Sequence, residues 1–132
     1  MDPIRRITLR LFQSAPEDIS FRIASYQFAP PTWQPAINAY RCENGIRICV
    51  DLAGVDRKEI DLRVEPYRVV IRGERDVGGP KEPQDSAVEM LAMEIDYGPF
   101  ERTVELFDEV NVEKVHAEQT NGLLWIHLPF AS

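Results

Sequence analysis

The side chains with the greatest potential for chemistry in this chain are two thiols and two imidazoles. Both groups are ligands that zinc prefers in proteins. Their spacing fits none of the familiar zinc-binding patterns, however. We therefore interpret all four as ordinary residues of β-strands, with the cysteines reduced, and predict no metal site at Cys42, Cys49, His116 and His127.

The remaining polar residues show no catalytic arrangement. The five serines lie in no nucleophile-and-base pattern. Glu109 and Glu113 are better read as a solvated surface than as a catalytic pair. Gly78-Gly79 is followed neither by a helix start nor by the lysine of a phosphate-binding loop. The sequence thus predicts no catalytic residue, no enzyme activity and no cofactor.

Length and charge narrow the class of protein further. A chain of 132 residues with 44% hydrophobic and 28% charged residues suits one domain with a real core. No apolar run approaches the roughly 20 residues of a membrane span, and the early arginines rule out a signal peptide, so we expect a cytoplasmic protein. The net charge of −7 lies after the first 40 residues and leaves no basic stripe, which excludes nucleic acid as a partner.

The elements that must position these residues are clearest at the end of the chain. Asn121-Gly122 predicts a two-residue type I′ hairpin, because both residues tolerate positive φ. On its second arm, alternation places Leu124, Ile126 and Leu128 on one face, which we expect to fill the core. Pro129 ends the ladder because it has no N–H to donate.

Residues 1–36 differ from the rest and form an N-terminal arm, partly helical or flexible. The segment Pro3–Gln13 fits an amphipathic helix, and Pro16 suits the start of a second, although extended structure explains the alternation of 19–23 equally well. The arm either packs back on its own core or contacts other proteins. In the second case the client or assembly contacts are Ile19, Phe21, Ile23, Phe28 and Trp33.

From residue 37 to 129 the pattern changes to short strands with turn residues between them, which predicts an antiparallel sandwich or barrel. If Asn44 and Gly45 are the central residues of the first turn, Cys42 lies opposite Arg47 and Cys49 opposite Tyr40. A long excursion from Asp76 to Tyr97 follows and carries a further strand. Long excursions of this kind are usually either functional or disordered.

Four motifs in one order closely resemble the small heat-shock proteins with an α-crystallin domain, in their bacterial and plant branch. The resemblance extends over the range from Ile37 to Pro129, which is about seventy per cent of the chain. They are Asp51-Leu52-Ala53-Gly54-Val55 with Lys58-Glu59-Ile60, then Gly73-Glu74-Arg75, then Gly98-Pro99-Phe100-Glu101-Arg102, and finally Ala117-x-x-x-Asn121-Gly122-x-Leu124 with Leu128-Pro129.

The resemblance implies an immunoglobulin-like β-sandwich of seven or eight strands and an ATP-independent holdase that binds unfolding client proteins under stress. It also implies a homodimer in which a strand on the long loop enters the partner's sheet, with larger homo-oligomers built from it. The residues implied at this dimer interface are Leu91, Met93, Ile95 and Arg102. An exchanged edge strand would satisfy both edges and bury its apolar side chains.

The resemblance also implies a groove at a sheet edge, where family members bind an I-x-I/V motif from a C-terminal tail. Residues 130–132 lack this motif, so we expect a small assembly and propose Ile19–Ile23 as a substitute. The groove residues are Ile60, Leu62, Val64, Val115 and Ala117, and the alternative is that at least half of these are ordinary core positions that are already covered. Ala53, Phe107 and Phe130 replace a proline, a proline and a basic residue of the family pattern.

A different class of function also fits a sandwich of this shape. Related co-chaperone domains act as adaptors that bind one folded partner. These adaptors generally lack the long loop and the Gly98-x-Phe100 motif. The holdase is therefore the leading hypothesis and the adaptor the alternative.

Overall fold

The computed structural model describes residues 5–8, 32–76 and 89–131, with the backbone alone for 5–8. Within these residues the chain forms eight β-strands and two single turns of 3-10 helix, at Arg57–Glu59 and Val112–Lys114. The strands are β1 (Arg5–Thr8), β2 (Ile37–Arg41), β3 (Gly45–Asp51), β4 (Ile60–Glu65), β5 (Arg68–Arg75), β6 (Gly98–Glu105), β7 (His116–Thr120) and β8 (Leu123–Pro129).

The strands form two antiparallel sheets of four, in the orders β1-β4-β5-β6 and β2-β3-β8-β7. Alternate residues of each inner strand point between the sheets, as the two-residue period of a strand requires. The apolar side chains meet there in one buried cluster that draws on both sheets. The predicted all-β antiparallel sandwich is therefore confirmed, and the core lies between its two layers.

The closing hairpin has the predicted turn. Asn121 has φ 54° and Gly122 has φ 81°, as a type I′ turn demands at both central positions. Thr120 pairs with Leu123 directly across it. The three predicted core residues of the second arm, Leu124, Ile126 and Leu128, are buried.

The first hairpin differs from the prediction by two residues of register. Arg41 pairs with Ile46, so that Tyr40 lies opposite Arg47 and Asn38 opposite Cys49. Gly45 belongs to β3 instead of the turn, because its backbone lies against that of the closing strand, where a Cβ would come within 2.9 Å of the Pro129 Cα. A shift of two residues keeps every side chain on its predicted face.

The two cysteines are free thiols, as predicted. Cys42 is half-buried at the first hairpin, whereas Cys49 lies in β3 and is buried. Burial raises the pKa of the Cys49 thiol, and the nearby carboxylate of Asp51 raises it further. Because the thiolate is the reactive form, Cys49 should be the less reactive of the two.

The first described part of the N-terminal arm, Arg5–Thr8, is a strand. The four residues of β1 pair antiparallel with β4, from Arg5 opposite Val64 to Thr8 opposite Asp61. Of the two alternatives left open for the arm, helix and extended structure, these four residues adopt the extended one, because pairing with a sheet edge competes with local helix propensity. The rest of the segment Pro3–Gln13, and the helix start at Pro16, lie outside the described residues.

One glycine of the motifs is required by packing. Gly73 in β5 pairs with Phe100 in β6, and the Phe100 ring lies over the position where a Gly73 side chain would be. A Cβ there would overlap both this ring and the backbone carbonyl oxygen of Glu59. Phe100 is buried, so the ring has little freedom to move away.

We therefore expect Gly73→Ala to lower the free energy of unfolding by about 2 kcal/mol, the scale of an overpacked core. Denaturant titration monitored by circular dichroism measures this change. Arg72→Ala is the matched control, since it removes only an exposed ion pair with Glu101 from the same strand and should cost less than about 0.5 kcal/mol. Equal stabilities for the two variants would contradict the packing argument.

We also expect the two thiols to differ in reactivity. At neutral pH, iodoacetamide should alkylate Cys42 of the folded protein first. Cys49 should react at least roughly ten times more slowly, because its thiolate form is disfavoured and its side chain is buried. Mass spectrometry of peptides measures both rates. Cys42→Ser leaves Cys49 as the single thiol, and rapid labelling of that folded variant would show the prediction to be wrong.

Candidate interaction surfaces

The segment that follows the excursion is the most apolar exposed part of the described chain. Residues 89–97 form no strand with the described residues of their own subunit. Leu91 is 90% exposed, and Met93 and Ile95 are both more than half exposed. Their identity as an exchanged strand stays a prediction, but the described part of the chain leaves their side chains exposed.

The edge strand β2 offers a surface for such a segment. Among the described strands, β2 has a neighbour only on its β3 side. Its side chains from Asn38 to Arg41 are exposed. An edge of this kind presents unpaired N–H and C=O groups to any extended chain.

Side chains at both faces hold β2 in place. The ring of Tyr40 stacks on Trp125 with 6.3 Å between centroids. Arg41 donates two hydrogen bonds to the Asp108 carboxylate, of 2.9 and 3.1 Å, and its guanidinium lies 4.9 Å from the ring centre of Phe130. The hydrogen bond and charge of Arg41 lower the pKa of Asp108. The edge is therefore anchored to its own subunit while its outer side stays open.

Arg102, implied at the dimer interface, contacts its own chain. It lies in β6, and its Nη1 donates a 3.2 Å hydrogen bond to the carbonyl oxygen of Pro35. Pro35 lies just before β2. Arg102 thus fixes the path by which the chain reaches the open edge, and its contact with a partner remains a prediction.

The groove implied beside β4 is mostly core in this subunit. Four of its five residues are buried in the cluster between the sheets, and Ala117 packs against that cluster half-buried. The backbone edge of β4 is paired with β1. The segment Ile19–Ile23, proposed for this edge, lies outside the described residues. The four buried residues are Ile60, Leu62, Val64 and Val115.

Trp33, grouped with the client contacts, is half-buried and packs inside its own subunit. Its indole lies 5.2 Å from the Phe100 ring and donates to the carbonyl oxygen of Gly98. The guanidinium of Arg75 also lies over the Trp33 ring, 4.4 Å from the ring centre. Sequence reasoning quoted Arg75 only as part of a motif and missed this contact. The other four residues grouped with Trp33, Ile19, Phe21, Ile23 and Phe28, lie outside the described residues.

The two histidines lie side by side on the outer face of the second sheet. They are a cross-strand pair of β7 and β8, with rings 4.5 Å apart and parallel to within 6°. His127 Nε2 lies 3.5 Å from the Glu118 carboxylate. They border an open depression of about 390 Å³ that Cys42 and Arg47 also line. In the described part of the chain no three His, Cys, Asp or Glu residues are grouped to hold a metal ion.

Comparison with known proteins agrees with this fold. The model of the Hsp20/alpha crystallin family matches residues 38–132. The 18 kDa antigen 1 of Mycobacterium avium is 30% identical over 111 residues, which cover 82% of this chain and 71% of that protein. The 18 kDa heat shock protein of Streptomyces albus G is 32% identical over 114 residues, covering 83% of this chain and 77% of its own.

A solved structure supports the same assignment. The hspA structure from Xanthomonas axonopodis superimposes with a TM-score of 0.64 at 27% identity, over 76% of this chain and 96% of that one. No helix among the described residues is long and apolar enough to cross a membrane. With a matching family model, bacterial relatives and the same sandwich, the chain belongs to the Hsp20/alpha crystallin family of small heat shock proteins.

Proposed function

We propose that this small heat shock protein is an ATP-independent holdase that binds unfolding proteins and keeps them from aggregating. Membership of a chaperone family supports the general role. The observation that carries the proposal is an exposed apolar segment, Leu91–Ile95, in a chain whose strand β2 has an open edge. The free thiols of the described chain suit the reducing cytoplasm expected from the sequence.

The building block we propose is a homodimer that exchanges this segment. Leu91, Met93 and Ile95 alternate along the chain, so that an extended conformation turns all three to one side. Paired with β2 of a partner subunit, the segment would complete the second sheet of that partner. Two-fold symmetry repeats the contact, so that both subunits lose an open edge and an exposed apolar row.

The apolar row is large enough to affect dimer formation strongly. Full burial of one such side chain contributes roughly 1.5–3 kcal/mol, and a reciprocal exchange buries six. Association costs an estimated 4–15 kcal/mol in lost freedom. The gain and the cost are therefore of similar size, so association depends on the whole apolar row. Loss of the row should therefore return the protein to monomers.

Client binding in this proposal uses apolar surface that becomes accessible when subunits separate. The same row that joins the dimer can contact an apolar segment of an unfolding protein. The acidic body, which carries the net charge of −7, keeps such complexes soluble. The alternative is an adaptor that binds one folded partner. The exposed row favours the holdase, because an adaptor for a folded protein has no need of an exchange segment.

The holdase proposal predicts that the purified protein suppresses light scattering by a heat-denatured model protein at a near-stoichiometric ratio without nucleotide. Added ATP should leave this suppression unchanged, since no nucleotide site is invoked. Serum albumin at the same concentration controls for nonspecific protection. Scattering that rises as fast as with albumin would sink the holdase and favour the adaptor.

The exchange proposal predicts that the triple variant Leu91→Ser, Met93→Ser and Ile95→Ser is monomeric in sedimentation velocity at concentrations where the unaltered protein is dimeric. Its subunit should keep its unfolding midpoint, because these side chains are exposed and outside the core. The control is Met90→Ser with Ala92→Ser, which alters the opposite side of the same segment and should stay dimeric. A dimeric triple variant would overturn the proposed interface.

A further inference from the structure

Trp33 is fastened to β6 through its backbone and its side chain. Its N–H donates to the Pro99 carbonyl oxygen at 3.2 Å, and its own carbonyl oxygen accepts from the Glu101 N–H at 3.1 Å. These two bonds bracket Phe100 in a parallel bridge. The indole Nε1 donates a third bond of 3.1 Å to Gly98 O. Trp33 alone therefore holds the first four residues of β6 in place.

Arg75 connects this fastening to the excursion. It is the last residue of β5 and pairs with Gly98, the first of β6, so that the two residues mark the base of the excursion. Its guanidinium lies 4.4 Å from the Trp33 ring centre, and its Nη1 donates a 2.8 Å hydrogen bond to Asp96 O. Asp96 directly follows the apolar row that ends at Ile95.

The contact geometry suits arginine more than any other cation. A planar guanidinium can stack on an aromatic face and donate sideways at the same time, whereas a lysine ammonium offers a point charge on a flexible stem. The Arg75 Nε is shielded from solvent and has no hydrogen-bond partner among the described residues. Arg75 is therefore held by the ring of Trp33 and the carbonyl of Asp96, not by a full set of hydrogen bonds.

We propose that Arg75 and Trp33 form a clasp that sets the direction in which Leu91–Ile95 leaves the sandwich, and that they are positioning residues for strand exchange. This inference rests on the exchange dimer proposed above. A segment anchored one residue beyond its apolar row has fewer conformations to lose when it docks, and this preorganisation strengthens binding without any contact to the partner.

A mutation at Arg75 tests the clasp without altering the core. Trp33 packs on buried Phe100, so that a change at Trp33 alters the core as well. Arg75 lies outside the core cluster. Arg75→Met keeps an apolar stem of similar length and removes both the stacking cation and the donor. Arg72→Met is the matched control on the same strand, because it removes an exposed 2.8 Å ion pair with Glu101 and leaves the contacts of Arg75 with Trp33 and Asp96 in place.

The experiment measures the dimer Kd by sedimentation equilibrium. Arg75→Met should raise the Kd about tenfold, the effect of losing the order of one or two side chains and a short segment. Arg75→Lys should fall between it and the unaltered protein, and Arg72→Met should stay within about twofold. When Arg75→Met is added to the monomeric triple variant, the unfolding midpoint should stay unchanged. If Arg75 had only a structural role, the same substitution would lower the midpoint.

The outcomes separate the two proposals. An unaltered protein that stays monomeric at every concentration overturns the exchange dimer, and the clasp with it. A dimeric unaltered protein whose Kd is the same in Arg75→Met and Arg72→Met overturns the clasp alone. A lower unfolding midpoint of Arg75→Met in the monomeric background assigns Arg75 to subunit stability and equally overturns its positioning role.

Discussion

The need to satisfy sheet edges governs this molecule. A two-layer sandwich has four edges, and each presents backbone groups that require partners or water. In the described chain, residues that precede the domain pair with β4 through β1 and with β6 through Trp33, so that β1 is the outer strand of the first sheet on one side. Both outer edges of the second sheet, at β2 and β7, lack a neighbouring strand. Among the described strands, both sheets therefore keep an outer strand with one neighbour only, at β1 in the first sheet and at β2 and β7 in the second.

The base of the excursion depends on a chain of contacts that begins in the core. Gly73 has no side chain and so admits the Phe100 ring. Phe100 supports Trp33, and Trp33 supports Arg75. Three of the four lie in motifs that also carry the family resemblance. The residues of those motifs therefore help to position the base of the excursion.

Much of the sandwich could be predicted from the sequence because its signals are local. Asn121-Gly122 specifies its turn by backbone freedom alone, and alternation specifies which face of β8 is buried. Gly45 misled the same reasoning, since its glycine serves a close approach to Pro129, about eighty residues away along the chain. The contact of Arg75 with Trp33 also joins distant segments. Single-chain patterns contain no signal for such contacts, and the strand β1 likewise depends on an edge formed elsewhere.

The pairing of β1 with β4 makes the N-terminal arm a tethered competitor. A strand that belongs to the same chain meets the edge with which it pairs at an effective concentration that is typically on the order of millimolar. Any extended peptide that would bind the β4 edge must first displace the four residue pairs of β1. The apparent affinity of such a peptide is therefore its intrinsic affinity multiplied by the fraction of molecules in which β1 is not paired with β4. Occupancy of this edge is set by the arm as much as by the incoming chain.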